Sequence, residues 1–164
     1  MRKPLQTLLI KPAGPDCNMA CTYCFYLEKE SLFPESLRHR MSQDMLEKVI
    51  RQAMNQSESQ ISFIWQGGEP TLMGLEFYQK SVYFQQQFGC GQTLGNGLQT
   101  NGLLINDEWI HFLKSYNWLV GLSLDGPEHI HDHYRCTRNG DGTWKKVTAC
   151  WPLWGHWEGT FLIW

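Results

Sequence analysis

"DCNMACTYCFY", residues 16–26, places cysteines at 17, 21 and 24 in a CxxxCxxC spacing. A disulfide uses two thiols and a closed tetrahedral zinc site uses four ligands, so three within eight residues ask for another explanation. Position narrows the choice. The stretch follows Leu8-Leu9-Ile10, a short apolar strand signal, and the turn-forming "KPAGP" at 11–15. Three thiols therefore sit on a loop after the first strand, among Pro, Gly, Asp and Asn rather than in an apolar run.

Downstream, strand and helix signals alternate. Ser42 is placed to cap a helix in which Leu46, Val49, Ile50, Ala53 and Met54 recur at helical spacing, with Asp44 in the first turn. "ISFIW" at 61–65 reads as a buried strand ending at Gly67-Gly68, followed by a helical "LEFYQKSVYF" at 75–84 with a Glu76/Lys80 pair. "GLQTNG" at 97–102 is a weaker strand, and the helix after it starts near Asn106 with Trp109, Ile110 and Leu113 on one face. "WLVGLSL" at 118–124 gives a fourth strand ending at Asp125-Gly126-Pro127, and Thr143 is positioned to cap a helix carrying Trp144, Val147 and Trp151. Four βα units in series predict an α/β fold with a parallel sheet, open or curved into part of a barrel. Function then belongs at the carboxyl ends of the strands, where the cysteines, "QGGEP", "QTNG" and "SLDGP" all fall. No internal repeat or linker divides the chain.

At 164 residues the chain is long enough for one domain that buries roughly 70% of its unfolded surface. Fourteen Lys and Arg against 16 Asp and Glu give no basis for a broad nucleic-acid or anionic-membrane surface. Neither a secretory leader nor an apolar run of about 18 residues is visible, which predicts a cytoplasmic protein whose thiols stay reduced. In that setting clustered cysteines more often hold metal. Zinc would need a fourth ligand, and the nearest candidate, His39, lies 15 residues beyond Cys24. A Cys21/Cys24 dithiol leaves Cys17 without a role, and three structural cysteines do not suit a polar loop. Those remain the alternatives to an iron-sulfur cube, in which three thiolates on four irons leave one iron open to bind a substrate or cofactor and pass an electron to it.

"CNMACTYC" resembles the CxxxCxΦC motif of radical S-adenosylmethionine (SAM) enzymes, with Tyr23 as the aromatic Φ, and "GGEP" at 67–70 resembles that superfamily's methionine-binding element. "KPAGPDCNMACTYCFYLEK", "WQGGEPTL", "QTNG" and "GLSLDGPEHIHDHYR" together are similar to the anaerobic sulfatase-maturating enzymes, over residues 8 to 148. The resemblance implies a radical SAM partial barrel in which Cys17, Cys21 and Cys24 hold a [4Fe-4S] cluster. SAM binds its open iron and is cleaved on reduction to methionine and a 5′-deoxyadenosyl radical. By the same resemblance Tyr23, Gly67, Gly68, Glu69, Ser123 and Arg135 bind SAM, Glu69 receiving its ammonium, the glycines exposing backbone polar groups to it, and Arg135 meeting its carboxylate region. Tyr26, Gln66 and Gln99 line a substrate channel. The implied reaction oxidises a sulfatase Cys or Ser to formylglycine, with a sulfatase polypeptide as substrate and flavodoxin or ferredoxin as electron donor.

Taken singly, each of these residues has a plainer reading. Gly67-Gly68 and "DGP" are turn signals, Glu69 a solvated charge, Arg135 a surface ion pair and Tyr26 a core aromatic. Cys90, Cys136 and Cys150 show no cluster spacing and read as free thiols, and His129, His131 and His133 read as a polar loop connection. The chain departs from the family at its far end: the family's catalytic Asp and auxiliary-cluster cysteines have no counterpart. Residues 151–164, "WPLWGHWEGTFLIW", carry four of the eight Trp and suit neither an amphipathic helix nor a regular strand. A domain core over residues 1–150 with an atypical tail, the product of truncation or a shifted frame, is the expectation. The second class of function is a non-catalytic remnant that binds SAM or an iron-sulfur cluster, or a partner-binding module.

Overall fold

The computed structural model describes residues 3–33, 38–149 and 161–163. Five strands form one all-parallel sheet: β1 (Thr7–Ile10), β2 (Gln60–Trp65), β3 (Thr93–Thr100), β4 (Leu119–Leu122) and β5 (Phe161–Ile163). Each strand pairs with its neighbour in sequence, in the order β1-β2-β3-β4-β5. The helices between them are α1 (Gln43–Gln56), α2 (Leu75–Phe88), α3 (Asp107–Ser115), α4 (Glu128–Tyr134) and α5 (Trp144–Ala149), with 3₁₀ turns at Leu27–Leu32 and Pro70–Met73. No helix among the described residues is long and apolar enough to cross a membrane.

Local chemistry explains most of these elements. Ser42 Oγ accepts from Met45 N–H at 3.2 Å, the cap expected from the sequence, and Asn106 Oδ1 accepts from Trp109 N–H at 3.1 Å, capping the helix expected to start near it. Leu46, Ile50, Ala53 and Met54 of α1 are buried as their spacing requires. On β2 the alternation Ile61, Phe63, Trp65 turns one face into the core, where Trp65 meets Tyr78 at 5.5 Å and Trp118 at 6.4 Å between ring centroids. Trp65 Nε1–H donates to Asn96 Oδ1 at 3.2 Å and Tyr78 Oη–H to the Pro70 carbonyl at 2.8 Å, so these two rings bury their polar ends satisfied. Truncating Trp65 to Ala in this cluster should cost about 3–5 kcal/mol.

Four expectations are corrected. β3 begins at Thr93, earlier than its glycine-containing sequence suggests, because it is hydrogen-bonded along β2 from Gln60↔Thr93 to Trp65↔Leu98 and to β4 at its end; tertiary pairing overrides weak strand propensity. Thr143 does not cap α5 with its own side chain. Asp132 of α4 does, its Oδ1 accepting from Thr143 N–H at 2.7 Å and Trp144 N–H at 2.8 Å. The three histidines lie on α4, a helix rather than a loop. Within the tail, residues 161–163 pair with β4 as a regular strand from Val120↔Phe161 to Leu122↔Ile163, while Cys150 and Trp151 lie outside the described residues.

Candidate functional site

At the carboxyl ends of the strands the β1, β2, β3 and β4 loops surround a cavity of about 320 Å³. Its wall includes Cys17, Cys21, Cys24, Tyr23, Tyr26, Gly67, Gly68, Glu69, Gln99, Ser123 and Arg135. Eleven of the twelve residues singled out in the sequence thus meet around one space; Gln66 alone is absent from the wall. Met19, Phe25, Thr100 and Asn101 complete it. Of these, Thr100 and Asn101 were signalled by "QTNG", whereas Met19 and Phe25 lie inside the cysteine stretch itself.

The cysteine loop is held from several sides. Ala20 N–H donates to the Cys136 carbonyl at 2.8 Å and Thr22 N–H to the Tyr134 carbonyl at 2.9 Å, while Arg138 Nε–H reaches the Cys17 carbonyl at 2.9 Å. Cys136, a free thiol as expected, donates from Sγ to the Ala20 carbonyl at 3.5 Å; Cys90 is free and exposed. Ahead of Cys17, Asp16 accepts from His39 N–H at 2.8 Å, contacts His39 Nδ1 at 2.7 Å and accepts from Arg40 Nη1 at 2.6 Å. Burial pushes the Asp16 carboxyl up, but these His39 and Arg40 hydrogen bonds outweigh it and leave it below its ordinary value.

Gly67 and Gly68 line the cavity, and two backbone donors at this strand end are already engaged. Gly68 N–H donates to the Gly14 carbonyl at 2.9 Å and Glu69 N–H to the Asp16 carbonyl at 2.7 Å, so these donors hold the cysteine loop rather than face the cavity. A Cβ at Gly68 would stand 2.0 Å from the Asp16 carbonyl oxygen, which only glycine avoids. Glu69 is 1% exposed, not a solvated charge. Its Oε1 accepts from Thr71 N–H at 2.9 Å, from Thr71 Oγ1 and from Thr100 Oγ1 at 2.8 Å, and its Oε2 from Asn101 N–H at 2.8 Å. Burial raises its carboxyl above the ordinary value despite those bonds.

The opposite wall is charged. Tyr23 Oη–H donates to Asp125 Oδ2 at 2.7 Å, and Arg135 Nε forms an ion pair with Asp125 Oδ1 at 2.8 Å, out of line for a hydrogen bond. The Arg135 guanidinium lies 5.4 Å from the Tyr23 ring centroid. Burial and the Asp125 hydrogen bond push the Tyr23 phenol up. Behind them, fully buried His131 accepts at Nδ1 from Asp125 N–H at 3.3 Å and meets Thr143 Oγ1 at Nε2, 2.9 Å. Thr143 Oγ1–H is donated to the Arg135 carbonyl at 2.8 Å, so Nε2 carries the imidazole proton. Burial, then Arg135, lowers the His131 value. Between the walls Gln99 Nε2 donates to Ser123 Oγ at 3.2 Å, and the Tyr26 ring packs tilted against Phe25 at 4.2 Å between centroids, with Lys11 Nζ 5.3 Å from its ring.

Among the described residues no three His, Cys, Asp or Glu side chains gather around a single ion position. The three cysteines are nevertheless unpaired and edge the same cavity, which suits a cluster that offers separate irons to separate sulfurs better than it suits one ion. Burial raises the Cys17 thiol to about 11 and raises Cys21 too, so a cationic partner is needed to hold them as thiolates.

A parallel α/β sheet with a three-cysteine loop after its first strand, opening on a strand-end cavity, defines the radical SAM class, and residues 12–151 match the family model of the radical SAM superfamily. The chain belongs to that superfamily, and its sheet is a partial barrel of that type. Relatives of the chain there include anaerobic sulfatase-maturating enzymes. It is 45% identical over 146 residues to the serine-type enzyme of Bacteroides thetaiotaomicron, covering 88% of this chain and 35% of the relative. To the cysteine-type enzyme of Clostridium perfringens (strain ATCC 13124) it is 39% identical over 161 residues, covering 98% of this chain and 44% of the relative. A solved structure of native anSMEcpe with bound AdoMet and Cp18Cys peptide superposes with a TM-score of 0.88 at 39% identity, covering 98% of this chain and 42% of that one. The chain thus spans less than half the length of these relatives.

Proposed function

We propose that this chain provides the SAM-cleaving part of a sulfatase-maturating reaction. Cys17, Cys21 and Cys24 hold a [4Fe-4S] cluster, and SAM occupies the 320 Å³ cavity beside it. When bound, the cluster supplies one electron to the SAM sulfonium, releasing methionine and a 5′-deoxyadenosyl radical. The observation that carries this reading is that three unpaired cysteines from one loop share a cavity with a fixed carboxylate, a cation and strand-end polar groups.

Each of these residues has a physical task. Arg135, oriented by Asp125, presents a guanidinium suited to the SAM carboxylate. Glu69 accepts one hydrogen bond on Oε2, from Asn101 N–H, and three on Oε1, which leaves Oε2 the better placed oxygen for an ammonium. Tyr23, Gly67 and Gly68 shape the same wall, with Gly68 acting through the close approach of two loops. The Gln99–Ser123 pair offers polar groups to the ribose and to a peptide backbone, and Tyr26 lines the same cavity, into which a Cys or Ser side chain of the sulfatase would reach. Gln66, which is not in the cavity wall, belongs to the substrate channel by resemblance alone. A low-potential one-electron protein such as flavodoxin or ferredoxin is the donor.

The test is anaerobic iron-sulfur reconstitution of the full chain, reduction with dithionite, and measurement of 5′-deoxyadenosine with and without a sulfatase-derived peptide. Cleavage of SAM is the expected result. Iron uptake with a cube spectrum but no cleavage identifies a binding-only chain, and absence of any cube signature removes the reading altogether.

A further inference from the structure

Resting on the reading of Cys17 as a cluster ligand, we infer that Asn101 raises the reduction potential of that cluster through an amide hydrogen bond to the Cys17 sulfur. Asn101 follows the last residue of β3 and is 7% exposed. Its backbone N–H is fixed on Glu69 Oε2 at 2.8 Å. Its side-chain oxygen accepts from Leu103 N–H at 3.0 Å, which settles the amide's orientation: Oδ1 faces its own turn and Nδ2 faces the cysteine loop. There Nδ2 lies 2.8 Å from Asn18 Oδ1 and 3.7 Å from Cys17 Sγ, one N–H for each partner. Met19 N–H adds a second donor to the same sulfur at 3.4 Å. Among the described residues no hydrogen bond is donated to the Cys21 or Cys24 sulfur, so the donors are concentrated on one ligand.

A hydrogen bond to a ligand sulfur draws electron density from the thiolate and favours the more negative, reduced cluster. The step concerned is addition of one electron to the oxidised cube from an external reductant, with no bond made or broken. Asn101 is a positioning residue in this proposal, acting on the cluster through Cys17. Its backbone bond to Glu69 ties that sulfur's environment to the β2 loop, and only the side chain is asked to tune it.

The experiment is a dithionite redox titration, followed by electron paramagnetic resonance, of the reconstituted full chain and of two variants. Asn101→Ser removes the amide donor without adding charge and keeps an oxygen near Leu103 N–H. Asn101→Asp keeps the acceptor and the shape while replacing the donor with negative charge. Both should shift the midpoint potential to more negative values at undiminished iron content, Asn101→Asp further than Asn101→Ser. A cube in both variants with the parent's potential overturns the inference and leaves the function reading intact. Loss of the cube from both, with the parent's retained, assigns Asn101 to loop folding and overturns it as well. A parent chain without a cube overturns both readings together.

Discussion

Two carboxylates support the cavity, Glu69 in its wall and Asp125 through Tyr23 and Arg135, and they are handled in opposite ways. Glu69 is buried, surrounded by neutral donors from Thr71, Thr100 and Asn101, and locked by them to its own β2 loop and to the end of β3. Asp125 is partly exposed and shares its two oxygens between a phenol and a guanidinium. The first arrangement is rigid because any movement strips hydrogen bonds from groups that water does not reach. The second can exchange partners with little loss, since charged groups near solvent recover hydration when they part. One side of the cavity is therefore architecture and the other is adjustable.

That contrast breaks most visibly at Glu69. Glu69→Ala should cost roughly 3 kcal/mol or more in urea unfolding, because several buried donors lose their acceptor and each costs ~1–3 kcal/mol; a loss below about 1 kcal/mol would show the site to be softer than its bonding implies. Gly68→Ala comes next, at roughly 1–3 kcal/mol from the clash with the Asp16 carbonyl. Iron retained after reconstitution should fall with it, since the same contact holds the cysteine loop. On the adjustable side Asp125→Asn should leave unfolding within about 1 kcal/mol of the parent yet weaken SAM about tenfold in equilibrium dialysis, a change worth about 1.4 kcal/mol. Equal damage to folding and binding there would erase the distinction.

The smallest effect belongs to His131. Its folded value is lowered from 6.5, so its contribution to stability is full above pH 6.5 and is lost as the pH falls through the lowered value. Protonation at Nδ1 also removes the acceptor for Asp125 N–H. A His131→Gln variant should show a flatter decline in unfolding free energy below pH 6.5 than the parent. Parallel curves for the two proteins would assign that pH dependence to other groups.

Legibility in the sequence followed the same division. Cys17, Cys21, Cys24 and the "GGEP" residues were readable because their chemistry is written in consecutive positions after a strand signal. The four βα units were readable because their apolar periodicities are local. What escaped depends on segments far apart in the chain. Asp125 looked like part of a turn until Tyr23 and Arg135 were seen to share it. Asp132 caps a helix that starts after an intervening stretch, displacing Thr143 from that task, and β5 forms because β4 offers it an edge. Asn101 stood inside a quoted motif, yet only the third dimension aims its amide at a cysteine.

The sheet's order has a consequence for the protein's birth. Since strands neighbour one another as they follow in the chain, each one leaving a ribosome meets its partner already synthesised. Every wall residue from Cys17 to Arg135 has then been translated before α5 begins at Trp144. Vectorial synthesis and assembly of the chamber run in the same direction.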